Sequence, residues 1–245
     1  TAMISPFAAD GSLDVDGAVT LARWLEEQGN DGLVLAGTTG ESPTLTQDEQ
    51  VDMISAVVEA VQIPVIAGAG SNDTRSAVRN AERCAEVGVA GILDVTPYYN
   101  RPSQAGLIEH FRTTAAATDL PVMLYDIPPR SGRKIDTDTI LRLADEVDNI
   151  VAVKDAAGDV AETARLIAAV PDGFEVYSGE DCLTLSLLAV GAVGTVSVAS
   201  HWCTPETVSM MAAFFGGDMA EAAAINRRLI PSYDFESGDL RQIGR

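Results

Sequence analysis

Three kinds of residue are scarce in this 245-residue chain, and each scarcity excludes something. There are 3 cysteines, Cys84, Cys182 and Cys203, widely spaced and with no CxxC pair. An odd, scattered set in a chain this long does not make a disulfide framework, so a reducing, cytoplasmic compartment is expected. There are 2 histidines, His110 and His201, far apart and without neighbouring ligands, which argues against a zinc site. Basic residues number 16 against 36 acidic ones, for a formal net charge of -20. That balance argues against nucleic acid or an anionic membrane surface as a partner and reads as a strongly solvated surface. No apolar run approaches the roughly 18 residues of a membrane helix. No signal peptide is visible, although the chain opens at Thr1 without a methionine, which leaves room for residues before it.

What is present is a repeat of short apolar strand and amphipathic helix. Hydrophobic residues make up 47% of the chain, enough for a sizeable core. Expected strands are Met3–Pro6, Gly32–Ala36, Val65–Gly68, Gly91–Val95, Val122–Asp126, Ile150–Lys154, Glu175–Ser178 and Gly194–Val198. Several are apolar throughout, as parallel strands covered on both faces are. Between them the spacing of apolar residues follows a period of 3.6 over Asp14–Gln28, Asp48–Val61, Thr74–Val87, Gln104–Thr118, Thr137–Val147, Val160–Val170, Leu183–Ala189 and Glu206–Phe215. Gly29 and Gly88 follow their helices as C′ residues, Asp73 and Asp136 stand where N-caps belong, and Pro64 and Pro121 open strands.

This alternation predicts an α/β fold, a (β/α)8 TIM barrel. An open doubly wound sheet is the alternative, made less attractive by the lack of a GxGxxG turn after the first strand. A further helix is expected at Met219–Leu229, and "PSYDFESGDLRQIGR" reads as loop or disrupted end. The expected division is a barrel domain over residues 1–217 and the start of a C-terminal helical region with an irregular tail over 218–245.

In a barrel of this kind the site lies at the carboxyl ends of the strands. Those ends read "AGTTGES", "AGAGSN", "TPYYNRPS", "YDIPPRSG", "KDAAG" and "SGED". Hydroxyls, tyrosines, an arginine and one lysine would converge there, with neither a cation cluster for phosphate nor a carboxylate and histidine set for a metal. The chain has 2 lysines, Lys134 and Lys154, and Lys154 ends an apolar strand. It either snorkels or pairs with Asp155, or it does chemistry. Burial among apolar side chains disfavours the charged ammonium, and a neutral amine can attack a carbonyl to form a Schiff base. Tyr125, at the end of the preceding strand, is either a packed phenol or a proton shuttle. Thr38 and Thr39, in a Gly-flanked turn, either cap that turn or hold a carboxylate. Arg130, behind two prolines, is either a surface arginine or a carboxylate fork.

In combination, "GTTGE", "VTPYYNRPSQ", "LYDIPPRSG" and "VAVKDAAG" are specific, and from about Ile4 to Pro231 the chain resembles the dihydrodipicolinate synthases. These belong to the pyruvate-dependent class I aldolases that also include N-acetylneuraminate lyase. The resemblance implies a (β/α)8 barrel, usually assembled as a tetramer of tight dimers. It implies Lys154 as the Schiff-base lysine, Tyr125 and Thr38 as members of a proton relay, and Tyr99 as a relay tyrosine inserted into the neighbouring subunit's site. It further implies Thr39 at the pyruvate carboxylate, Arg130 at the carboxylate of aspartate semialdehyde, and Gly179 and the Val196 carbonyl as pocket lining. The implied activity is that of a lyase, condensing pyruvate with L-aspartate 4-semialdehyde to 4-hydroxy-tetrahydrodipicolinate on the route to diaminopimelate and lysine. No cofactor or metal is implied, since the imine itself is the electron sink. The alternatives are a pyruvate lyase or aldolase acting on a sugar acid, and a catalytically silent barrel.

Two departures stand out. The family's "K-E-A-[ST]-G" reads Lys154-Asp155-Ala156-Ala157-Gly158 here. Where lysine-inhibited members carry histidine and glutamate, this chain has Gln47, Gln50 and Ser76, while Asn72 and Tyr98 remain, so weak or absent lysine feedback is expected. The family's C-terminal helical extension is expected to be largely absent from this chain, since the residues after Pro231 match poorly.

Overall fold

The structure, a computed structural model, describes residues 1–237. Seven parallel strands lie in sequential order: β1 (Leu33–Leu35), β2 (Val65–Gly68), β3 (Gly91–Val95), β4 (Val122–Asp126), β5 (Ile150–Asp155), β6 (Glu175–Ser178) and β7 (Gly194–Thr195). Each pairs with the next. Helix α1 (Val15–Glu27) precedes β1, the crossovers are made by α2 (Gln47–Ala60), α3 (Thr74–Glu86), α4 (Gln104–Ala115), α5 (Pro128–Ser131), α6 (Thr137–Glu146), α7 (Val160–Ile167) and α8 (Thr184–Ala189), and α9 (Ser200–Phe215) and α10 (Met219–Ser237) follow β7. Parallel neighbours need such crossovers because a tight turn cannot return the chain to the same strand end.

The expected first strand, Met3–Pro6, is not a ladder strand. Ala2 makes an isolated parallel bridge with Val34. The Ala2 N–H also donates to the Ser197 carbonyl at 2.8 Å, just beyond β7, so this segment bonds to both outer edges and the sheet curls on itself. Pairing ends there because Pro6 has no N–H and Ser5 turns its hydroxyl to the Gly40 carbonyl at 2.6 Å.

Strand alternation divides the interior into two layers. Val34, Leu93, Met123, Tyr125, Ala152, Ala156 and Val196 pack together on the inner face of the curl. Ile92, Leu124, Val153 and Val176 face outward and pack with Leu25, Met53, Leu107, Phe111 and Leu143 of the helices. Lys154, placed between Ala152 and Ala156, therefore belongs to the inner face, and Asp155 to the outer one.

Element ends follow local chemistry. Thr46 caps α2 in a full capping box with Glu49, and Asp73 accepts from the Ser76 N–H at the start of α3. Asp136 stands at the N-cap of α6 without a side-chain cap bond. Gly29 and Gly88 adopt φ of +99° and +81° after α1 and α3. The carbonyls of Pro64 and Pro121 accept from Leu33 and Ile92, each at 2.9 Å.

The C-terminal region departs most from expectation. The predicted helix Glu206–Phe215 begins at Ser200 instead, accommodating Pro205 through a kink at Cys203. The stretch expected to be loop after Leu229 continues α10 through Pro231 to Ser237. C-terminal helices are thus present rather than largely absent. Tyr233 is buried and Phe235 makes an edge-to-face contact with Trp202 of α9 at 5.8 Å. Tyr233 extends the buried stripe of Ile225 and Leu229 on α10, and the three pack together against Cys203 and Met210 of α9. Residues 238–245 of the expected irregular tail lie outside the described residues. Among the described residues no helix is long and apolar enough to cross a membrane, and no cluster of three or more His, Cys, Asp or Glu is placed to hold a metal ion.

Candidate active site

Parallel register places the key side chains. Lys154 of β5 lies opposite Tyr125 of β4 on one side and Tyr177 of β6 on the other. All three point to the inner face near the carboxyl ends of their strands. The Lys154 Nζ lies 4.3 Å from the centre of the Tyr125 ring, and each residue is only 4% exposed. A cation this close to an aromatic face is attracted to it, and the contact brings amine and phenol into one small volume. The snorkelling alternative for Lys154 is excluded by this burial. So is a pairing with Asp155, whose carboxylate faces outward and accepts from the Ala157 N–H at 2.8 Å and the Thr163 hydroxyl at 2.6 Å.

Gly179 follows β6 and packs directly on the lysine. A Cβ there would lie 3.0 Å from both Cγ and Cε of Lys154 and 2.9 Å from the Ala156 methyl. Glycine is therefore a steric requirement for this rotamer of Lys154. The Tyr177 hydroxyl donates to Glu175 at 2.6 Å, which ties that phenol to the wall; burial pushes its pKa up, and the bond to the carboxylate adds to the rise.

Tyr125 also lines a cavity of about 260 Å³, together with Thr38, Tyr98, Arg130, Gly68 and Gly70, among others. Its wall is built on strained backbone. Ala36, at the end of β1, adopts φ +52°, and a Cβ on Gly68 would meet the Ala36 carbonyl oxygen at 2.3 Å. The short helix α5 is entered through Pro128 and Pro129 and closes on Gly132, which brings Arg130 to the cavity edge.

Of the residues singled out from the sequence, Thr38, Tyr125 and Arg130 share this cavity. Lys154, Gly179 and Val196 are not part of its lining: Lys154 packs on Tyr125, which does line it, Gly179 touches Lys154, and Val196 belongs to the same inner cluster as Tyr125. Thr39 is half-buried in the turn beside Thr38 and is not part of the cavity wall. Tyr99 stands apart: it is 89% exposed, in left-handed backbone with φ +72°. Its N–H donates to the Ser131 carbonyl at 3.3 Å, tying the loop after β3 to α5. Sequence reasoning did not single out Gly68, Gly70, Ser42 or Ser131. The alternating glycines of "AGAGSN" were the visible signal for the first two, since glycine in a strand marks close backbone approach.

Together these features define a parallel α/β protein with a buried lysine–tyrosine pair at the carboxyl ends of adjacent strands, the tyrosine lining an open cavity. Comparison with known proteins then gives the family. A model of the Dihydrodipicolinate synthetase family matches residues 1–235. A 4-hydroxy-tetrahydrodipicolinate synthase of Acidothermus cellulolyticus is 51% identical over 235 residues, covering 95% of this chain and 75% of the relative. The crystal structure of a dihydrodipicolinate synthase from Cyanidioschyzon merolae with lysine bound superposes with a TM-score of 0.94 at 43% identity, covering 96% of this chain and 81% of that one. A dihydrodipicolinate synthase from Acinetobacter baumannii complexed with pyruvate superposes with a TM-score of 0.94 at 35% identity, covering 99% and 84%. The chain belongs to the dihydrodipicolinate synthetase family.

Proposed function

We propose that this protein condenses pyruvate with L-aspartate 4-semialdehyde to form 4-hydroxy-tetrahydrodipicolinate, with Lys154 as the nucleophile. The observation that carries the reading is the buried Lys154 amine held 4.3 Å from the ring of Tyr125, which lines the cavity. The amine adds to the keto carbon of pyruvate, and loss of water gives an imine. Removal of a methyl proton leaves an enamine, whose terminal carbon attacks the aldehyde. The amine of the second substrate then displaces Lys154 from the former keto carbon, closing the ring and restoring the free lysine. The imine takes up the electron pair, so no further cofactor enters the scheme.

Each proton needs a carrier near the imine. Tyr125 is the residue in contact with the amine, and Thr38 shares its cavity. Tyr99 completes the relay from a second copy of the chain, in a homodimer or homotetramer. A large phenol 89% exposed on left-handed backbone is suited to projecting beyond its own subunit. Thr39 holds the pyruvate carboxylate, Arg130 receives the carboxylate of the semialdehyde, and Gly179 and the Val196 carbonyl line the pocket. The N-terminal segment, bonded to both sheet edges, acts as the eighth strand of a closed (β/α)8 barrel over residues 1–217, and α10 begins the C-terminal helical region that follows it.

The test is to incubate the protein with pyruvate and borohydride and weigh it. One pyruvyl adduct mapped to Lys154 is expected, and its absence would leave the silent barrel. Consumption of pyruvate on adding aspartate semialdehyde then separates the synthase from an aldolase acting on a sugar acid.

A further inference from the structure

Behind the lysine–tyrosine pair, on the outer face of the same two strands, lies a second set of ionisable groups. Asp126 follows Tyr125 and Asp155 follows Lys154, and the two acids are register partners. Both are buried, at 1% and 7% exposure. The Asp126 carboxylate accepts from the Ile135 N–H at 3.0 Å and from the Lys134 ammonium at 3.2 Å. The Asp126 carbonyl accepts from Ala156 at 2.9 Å, and the Asp155 carbonyl accepts from Gly179 at 2.7 Å. This cluster therefore bonds to the segments that flank and floor the reacting amine.

We propose that Asp126, held by Lys134, is a positioning residue that sets the relative placement of Tyr125 and Lys154 across the wall. The inference rests on the function proposed for those two residues. Alternation turns the side chains of Tyr125 and Asp126 to opposite faces, so a tether on Asp126 limits how far the end of β4 can rotate. The opposite faces of β4 and β5 are thereby coupled with no side chain passing between them.

The charge balance makes this tether titratable. The charged groups around Asp126 are Lys134 on the loop after α5, Asp155 on β5 and Glu162 on α7; α6 contributes only Thr137 and Ile140. Burial pushes the Asp126 carboxyl up to about 6, with Asp155 adding to the rise and Lys134 opposing it. Below that pH the carboxylate takes a proton and its ion pair with Lys134 is lost. Turnover should then show an acid limb near pH 6 that belongs to the wall and not to the substrates.

Two variants test this. In Asp126→Asn the amide oxygen can still accept from Ile135, but no charge titrates. The expected result is a fall in kcat of about tenfold with the pyruvate KM little changed, loss of the acid limb, and an undiminished yield of trapped adduct on Lys154. Lys134→Met removes the cation that favours ionised Asp126, so the limb should move up by about one pH unit. An acid limb unmoved in both variants, or a kcat unchanged in Asp126→Asn, overturns the proposal. Failure to trap an adduct in the unaltered protein would instead overturn the function on which it rests.

Discussion

The two ends of the parallel strands are built from the same elements but solve opposite problems. At the amino ends the backbone is relaxed and its hydrogen bonds are closed. Pro64 and Pro121 lend their carbonyls to neighbouring strands, and the single side-chain amide of Asn149 donates to the carbonyls of Ala115, Thr118 and Leu120 at 3.0–3.1 Å. At the carboxyl ends Ala36, Glu41, Tyr99 and Arg101 all adopt positive φ without being glycine. There the cavity opens, the amine is buried against a phenol ring, and another aromatic ring projects into solvent. Strain of this kind costs about 1–3 kcal/mol per residue and persists only where the surrounding structure enforces it. One rim carries stability, and the other carries chemistry at the expense of stability.

The sharpest way to break that comparison is Lys154→Ala. Adduct formation should disappear and turnover should fall by more than about 10³-fold, while the melting temperature changes little or rises. Circular dichroism melts beside single-turnover assays check it, and residual adduct would remove the lysine from its role. Tyr99→Phe comes next. Turnover should drop by about 10²-fold with the fold intact, and a variant at full speed would take that tyrosine out of the relay. At the other rim Asn149→Ala should do the converse, removing the amide shared by the carbonyls of Ala115, Thr118 and Leu120 and costing about 1–3 kcal/mol in urea unfolding at unchanged KM.

A smaller effect concerns the helical region. Burial and the neighbouring Asp181 push the Glu236 carboxyl up to about 9. A carboxyl raised in the folded state contributes stability that is present below its unfolded value of 4.5 and lost as pH rises through 9. Stability should therefore decline across that window, and Glu236→Gln should flatten the decline in melts taken from pH 5 to 9. The smallest expected effect is on lysine sensitivity. Gln47 and Gln50 are neutral amides, donating to Asn80 at 2.5 Å and to the Ser42 carbonyl at 2.9 Å, and as glutamines they carry neither an anion nor an imidazole. Titrating lysine into the assay should leave turnover nearly unchanged, and strong inhibition at sub-millimolar lysine would reject this.

Much of the fold was legible because burial on both faces and helical period leave direct marks on composition. β3, β4 and β6 span the residues their apolar patterns indicated, and Gly29 and Gly88 stand where αL backbone requires them. The misses have separate causes. Met3–Pro6 has a strand-like composition, but the pairing occurs at Ala2 because the Ser197 and Val34 edges are available there. The helix from Pro231 to Ser237 was masked by Pro231, which reads as a helix stop, although Tyr233 continues the buried Ile225–Leu229 stripe of α10 and packs with it on α9. At the site, Lys154, Tyr125 and Arg130 were readable from residue type and position at strand ends, whereas Gly68 acquires its meaning from a carbonyl 32 residues away in sequence, that of Ala36.

Residue order alone therefore determined the alternation of parallel strand and helix, the strand ends at which polar groups collect, and the placement of one lysine at the end of an apolar strand. These are local properties, set by period, capping and the cost of burying charge. Tertiary structure decided which side chains meet: that the lysine rests on a phenol and against a glycine, that Thr39 stands outside the cavity wall, and that the ring of Tyr99 is left exposed to solvent. Such contacts depend on strand register and on the curl of the sheet, and both arise from the sum of many long-range interactions that no single stretch of the chain encodes.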